Sequence, residues 1–302
     1  MARYSRSRIL RRTLLAPTLL VALAGCGMAS AIGQTSAKPG ASILNLPADS
    51  QSPTSTATSA APSAGSGSGW KLAWQDNFTS SSDLSSNWKF ANSGSSFDDA
   101  LNYFGESSAT VAGSGGLVIT AAKGGSGLTC WYGPCKYTST EMTSKFSQEY
   151  GRFEARIKIP GSAGLWPAFW LIPQPQPGET IPGEIDIVEV NNKNPDEVTG
   201  YVHDGPVYNY KAEKVLSSPI SSQFHVYGVD WTPTGVTWTF DGVSYAHINK
   251  FPGWPLDQPF VIVLDLAVGG NWVGTPPAST VFPATMQVSW VRVYKMGSLS
   301  LA

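Results

Sequence analysis

A sandwich of two packed antiparallel β-sheets is the fold this chain predicts for its globular part, and three observations predict it. Short runs of β-branched and aromatic residues recur between turn signals, no window carries a sustained helical period with caps, and 31 glycines and 22 prolines interrupt the chain too often for long helices. Many strands separated by turns bury their apolar faces by stacking in two layers. In order, the runs are 116–121, 153–159, 166–171, 184–190, 226–231, 236–240, 260–266 and 286–294. Leu117-Val118-Ile119-Thr120 follows Gly116 with good β-formers, and 153–159, 226–231, 260–266 and 286–294 have the same character. In 166–171, Trp166, Ala168 and Trp170 share one face, while Pro167, Phe169 and Leu171 take the other. Asp241-Gly242, just after 236–240, is a two-residue hairpin signal.

The run 184–190 is the most informative. It threads three acids through apolar residues as Glu184-Ile185-Asp186-Ile187-Val188-Glu189-Val190. Strict alternation sets Glu184 and Asp186 on one face and would send Glu189 into the core. A β-bulge at Val188 or a neighbour returns Glu189 to the carboxylate face, and bulges concentrate beside active sites. Two glutamates four effective strand positions apart have Cα atoms about 13 Å apart. Long side chains leaning together then approach the roughly 5–5.5 Å that retaining glycosidic hydrolysis requires between nucleophile and acid. Asp186, between them, is expected to hydrogen-bond a neighbouring Glu and drive the two pKa values apart. The same string would also suit a solvent-facing edge whose acids serve solubility, so its setting has to decide.

Composition narrows that setting. A net charge of −1 and 14% charged residues exclude the basic stripe that nucleic acid would want and disfavour a sulfated glycan. Eleven tryptophans suit a neutral sugar polymer, since indoles match the C–H faces of pyranose rings. At the N-terminus, Arg3, Arg6, Arg8, Arg11 and Arg12 precede a short apolar stretch, 14–23, which reads as an export signal over 1–25. Leu23-Ala24-Gly25-Cys26 looks like a bacterial lipobox, with Cys26 taking lipid, and Arg11-Arg12 also admits twin-arginine export. Residues 26–69, rich in Ser, Ala, Thr, Pro and Gly, read as a disordered tether. With Cys26 lipidated, Cys130 and Cys135 are left to pair as a disulfide around a Gly-Pro turn. Trp131 at that turn forms either a groove wall or a pinned surface turn. No second Cys pair or His cluster accompanies them, so no metal site is expected.

The wider setting closely resembles the family 16 glycoside hydrolases, the laminarinase and endo-β-1,3-glucanase group in particular. The resemblance rests on Tyr150-Gly151-Arg152-Phe153-Glu154-Ala155-Arg156, Gly164-Leu165-Trp166-Pro167-Ala168-Phe169-Trp170, the acidic run, Tyr201-Val202-His203, Asp230-Trp231-Thr232-Pro233, Leu266-Ala267-Val268-Gly269-Gly270-Asn271-Trp272 and Val291-Arg292-Val293-Tyr294. It covers about 70 to 295. It implies a concanavalin-like β-jelly roll with a concave substrate cleft over 70–296, followed by a tail at 297–302.

The resemblance further implies Glu184 as nucleophile, Glu189 as general acid/base and Asp186 as the tuner of Glu184. Trp166, Trp170, Trp272 and Asn271 are expected to meet sugar, and His203 to stand near the acid/base on the leaving-group side. Asn102 and Trp131 complete the expected contacts. Trp74, Trp88, Trp231, Trp238 and Trp290 are assigned to the core, and His225 and His247 to structure. Family members often hold a structural calcium, but the corresponding places read Asn77 and Ser289, which disfavours one. The Pro-rich stretch 173–178, and Pro182 where the family usually has Cys or Trp, alter the loop bordering the cleft. The expectation is an exported, lipid-anchored, monomeric enzyme that hydrolyses internal β-1,3 bonds of a neutral polysaccharide without an organic cofactor. Its membrane contact would be through lipid alone. The rivals are the same chemistry on mixed-linkage glucan or galactan, transfer to sugar in place of water, and a sugar-binding module without catalysis.

Overall fold

The computed structural model describes residues 69–94, 98–174, 183–204 and 208–297. The expected export signal, Cys26, almost all of the tether, most of the Pro-rich loop and most of the tail lie outside the described residues.

Two large sheets make up the described part. One has seven strands in the order Tyr208–Val215, Glu197–Asp204, Glu184–Glu189, Leu165–Pro173, Phe260–Val268, Glu141–Gln148 and Trp88–Phe90. The other runs Val243–Asn249, Gly235–Phe240, His225–Thr232, Gly151–Lys158, Ala284–Met296, Leu117–Lys123, Tyr137–Ser139 and Asn102–Phe104, with Trp70–Asp76 and Ala109–Val111 paired alongside. Pairing is antiparallel throughout, except between Asn102–Phe104 and Tyr137–Ser139. One seven-residue helix, Ser81–Asn87, is the only α-helix among the described residues. All eight predicted runs are strands, with bounds within two residues of those expected. Asp241 (φ 48°) and Gly242 (φ 78°) both adopt the left-handed backbone that a two-residue hairpin loop demands.

The inner faces of the two sheets share one core. Ile185, Ile187, Val188, Phe169, Leu171, Ile262 and Leu264 from the seven-stranded sheet meet Phe153, Val229, Trp231, Trp238, Val291 and Val293 from the other. Trp88, Trp231 and Trp238 are buried as expected, and Trp74 packs at the core margin, stacked on Phe146.

Trp290 is not in the core. Met286 and Val288 point inward, but the ladder slips between Arg156 and Ile157, leaving Ser289 as an extra residue. Beyond that bulge Val291 and Val293 take the inward places and Trp290 is turned to the outer face, where the Arg292 guanidinium lies 4.2 Å from its ring centroid.

Candidate active site

The acidic strand Glu184–Glu189 lies between Leu165–Pro173 and Glu197–Asp204. Its pairing slips as predicted: Phe169 faces Val188 while Trp170 faces Asp186, so Ile187 is the extra residue. Ile187 and Val188 both enter the core, and the parity change brings Glu189 back to the face of Glu184 and Asp186. All three acids lie outside the sandwich core, yet they are only 7%, 0% and 4% exposed.

Cross-strand rows set the neighbours. Glu189 lies between Thr199 and Ala168, with Asp265 beyond; Asp186 lies between Tyr201 and Trp170; Glu184 faces His203. At the Glu184 end the chemistry is ionic. His203 Nε2 stands 3.0 Å from Asp186 Oδ2, its Nδ1 meets Asn209 Oδ1, and its ring stacks on Tyr201 with centroids 5.3 Å apart. Burial alone would lower the pKa of His203, but the hydrogen bond and charge of Asp186, with the charge of Glu184, raise it to about 10. Burial, then the charge of Glu189, pushes the Tyr201 phenol up to about 12, so it is a neutral donor at ordinary pH.

The Glu189 end is aromatic. Trp166 Nε1 donates to Glu189 Oε1 at 2.8 Å, and the Trp166 and Trp272 rings meet edge to face at 5.2 Å. Ala100, Phe104, Ala267 and Val273 pack with Trp166. Asn191 Nδ2 donates to the Trp272 carbonyl at 3.1 Å, and the Asn271 N–H donates to the Asp98 carbonyl at 2.8 Å, leaving the Asn271 side chain exposed. Cys130 and Cys135 are disulfide-bonded. Trp131, 48% exposed on that turn, donates from Nε1 to the Ala100 carbonyl at 2.8 Å and so borders the same aromatic cluster.

Several expectations change. Trp166 and Trp170 lie on the cleft face but are 6% and 3% exposed, with their N–H groups committed to Glu189 and Asp265. Alternation gave their face, whereas they pack there against side chains brought by other parts of the chain, Val261 and Val263 at Trp170 and Ala100, Phe104 and Val273 at Trp166. Asn102 is 1% exposed; its Oδ1 accepts the Val268 N–H at 2.8 Å and ties a strand end, while its Nδ2 has no hydrogen-bond partner. His203 sits opposite Glu184 and not beside Glu189, because the strand register puts Thr199 at Glu189. Asp186 engages His203, where a neighbouring Glu was expected.

Tyr201, Asp265, Thr199 and Asn191 were not singled out as site residues. Asp265 carried the same signal as the acidic run, an acid inside the apolar strand Phe260–Val268, and it is 2% exposed. His225 bonds Asp241 and His247 bonds Thr237, both structural as expected.

Glu184, Asp186 and His203 bring ligand atoms within 4.8 Å of one another, close enough for a metal ion. Without an ion, the charges of Asp186 and Glu184 favour the protonated form of His203. At the family's calcium position, the Ser289 hydroxyl accepts from Arg156 Nη1 at 2.8 Å. A guanidinium there and an uncharged Asn77 do not fit a divalent cation.

Residues 97–292 match the model described as "Glycosyl hydrolases family 16". Over 247 residues the chain is 33% identical to "Clotting factor G alpha subunit" of Tachypleus tridentatus, covering 76% of this chain but 35% of that protein. Over 254 residues it is 33% identical to a "Beta-glucanase" of Rhodothermus marinus, covering 75% of this chain and 85% of that one. The solved laminarinase catalytic domain from Thermotoga maritima superposes with a TM-score of 0.68 at 32% identity, covering 75% of this chain and 98% of that domain.

Proposed function

The chain belongs to glycosyl hydrolases family 16, and from that premise we propose that it hydrolyses internal β-1,3 bonds of a neutral β-glucan with retention of configuration. The observation that carries this reading is the bulge at Ile187, which sets Glu189 on the face of Glu184 in an enclosed cleft. A sugar-binding module needs aromatic faces and amides; it has no use for two buried glutamates separated by a third acid.

Glu184 attacks the anomeric carbon while Glu189 protonates the leaving oxygen, and Glu189 then takes a proton from the water that releases the glycosyl-enzyme. The Trp166 N–H donates to Glu189 Oε1, which fixes the orientation of the carboxyl that carries the proton. Asp186 holds the His203 cation, which stands on the neighbouring strand opposite the nucleophile Glu184. Trp272 and Trp131 offer rings for sugar faces at the Glu189 end, with Asn271 beside them. These steps need no organic cofactor.

The low net charge supports a neutral polymer. The lipobox-like Leu23-Ala24-Gly25-Cys26 supports export and anchoring by lipid on Cys26. Incubation of the purified protein with laminarin, mixed-linkage glucan, agar and galactan, with products followed by NMR, tests the activity. Laminarin should be cut internally with the β-anomer formed first, whereas release of the α-anomer or cleavage of galactan alone would overturn the reading. In the native host, Cys26→Ser should block palmitate labelling and free the protein from membranes; unchanged fractionation would return the N-terminus to an ordinary cleaved signal.

A further inference from the structure

A bulge interrupts ladder pairing, and buried carbonyls freed by it must find other donors. On the acidic strand two side chains supply them. The Thr199 hydroxyl donates to the Glu189 carbonyl at 2.6 Å, and Trp238 Nε1 donates to the Asp186 carbonyl at 2.8 Å. Thr199 is the direct cross-strand neighbour of Glu189. Trp238 comes from the opposite sheet: it sits on Gly235–Phe240, is 0% exposed, and reaches across the sandwich core to the back of the acidic strand.

Gly200 makes that reach possible. It lies on Glu197–Asp204 between Thr199 and Tyr201, the partners of Glu189 and Asp186, and so opposite the bulge. A Cβ there would fall 2.3 Å from Trp238 Nε1 and 2.7 Å from the Asp186 carbonyl oxygen. Any side chain at 200 would therefore enter the space in which the hydrogen bond is made.

We propose that Trp238, admitted by Gly200 and seconded by Thr199, is a positioning residue for the reaction: it fixes the bulge that aims Glu189 relative to Glu184. This rests on the catalytic reading above. Its contact is with the backbone between the two glutamates, so losing the N–H lets the bulge shift while the cleft wall that meets the sugar stays. Catalysis is sensitive to such shifts, and a misplacement of about 1 Å can cost roughly a hundredfold in rate.

The test is Trp238→Phe, which removes the donor and keeps most of the packing. Trp231→Phe is the control, a tryptophan equally buried at 0% whose Nε1 has no hydrogen-bond partner. Trp238→Phe should lower kcat about tenfold to a hundredfold with KM nearly unchanged. It should also raise amide hydrogen exchange at Ile187 and Val188, and Trp231→Phe should do neither at a similar loss of Tm. Gly200→Ala should reproduce the kcat loss, and its combination with Trp238→Phe should add little, because both break one contact.

The exchange measurement is independent of activity. If Glu184→Gln and Glu189→Gln stay active while Trp238→Phe loosens the bulge, the catalytic reading fails and the positioning of the bulge stands. Equal kcat losses in the two tryptophan variants, or an unperturbed bulge in Trp238→Phe, would overturn the proposal.

Discussion

Two of the bulges, one in each sheet at Ile187 and at Ser289, turn a side chain to a new face, and the two do opposite things. At Ile187 the extra residue turns Glu189 out of the core into a closed cleft, where three carboxylates are less than a tenth exposed. At Ser289 the extra residue turns Trp290 out to the far face, where Arg292 covers its ring and Arg156 bonds the Ser289 hydroxyl. Charges on that outer face are paired and partly solvated, as in the Arg152–Asp230 contact of 2.6 Å. Those in the cleft are acids crowded out of water with one imidazolium among them. The same backbone device thus serves packing on one side and chemistry on the other, and the difference is the electrostatic cost of what it exposes.

The contrast breaks most sharply at the glutamates. Glu184→Gln and Glu189→Gln should each lower kcat by about a thousandfold or more while Tm stays near the parent's, since the amide keeps the shape and loses the charge or proton. Azide should rescue Glu184→Ala with inverted product and Glu189→Ala with retained product. Near-normal turnover in both Gln variants would reduce the cleft bulge to a packing feature like the outer one.

The His203 cation gives the next largest effect. Its folded pKa of about 10 exceeds the ordinary 6.5, so the folded state holds a proton that the unfolded state releases between those values. The resulting stabilisation is complete below pH 6.5 and is lost as pH rises toward 10. Thermal melts of the parent should therefore fall across that window, and those of His203→Gln should fall less. Parallel curves would show that the Asp186 contact does not hold the proton. His203→Gln should also lower kcat, since it removes the positive charge opposite Glu184.

Much of this was legible in the sequence, and the misses share a cause. The strands showed because β-branched runs and turns repeat, and the cleft bulge showed because an acid at the wrong parity conflicts with a core. Trp290 raised no such conflict, since an indole is acceptable on either face, so its bulge left no trace. Alternation likewise put Trp166 and Trp170 on the cleft face but carries no information about how deep that face is. Asn102, tied to the Val268 N–H, and His203, set opposite Glu184 by register, depend on pairings distant in sequence. Asp265 could have been found by the rule that found Glu184, an acid inside an apolar strand.

Depth separates the cleft tryptophans. Trp170→Ala removes a ring that is 3% exposed and leaves Asp265 without the N–H it accepts, so a loss of about 3–5 kcal/mol in stability is expected. Trp272→Ala and Trp131→Ala remove half-buried or exposed rings. They should leave Tm within a few degrees of the parent while weakening long oligosaccharides several-fold in titration calorimetry. Unaltered affinity in both would remove the aromatic end from the substrate path.

The smallest effect is expected at the outer bulge, and it sharpens the comparison because the backbone irregularity there is of the same kind. Ser289→Ala deletes one acceptor for a guanidinium that also lies 4.4 Å from the Phe224 ring centroid, so Arg156 keeps a partner and remains partly solvated. A hydrogen bond of this sort contributes about 1 kcal/mol or less once water can replace it. Urea unfolding should show that small loss, and kcat and KM on laminarin should stay within about twofold, since the sandwich core separates Ser289 from the acidic strand. A large fall in kcat with the fold intact would mean that strain passes between the sheets. In that case the outer bulge would have to be counted among the features that position the glutamates.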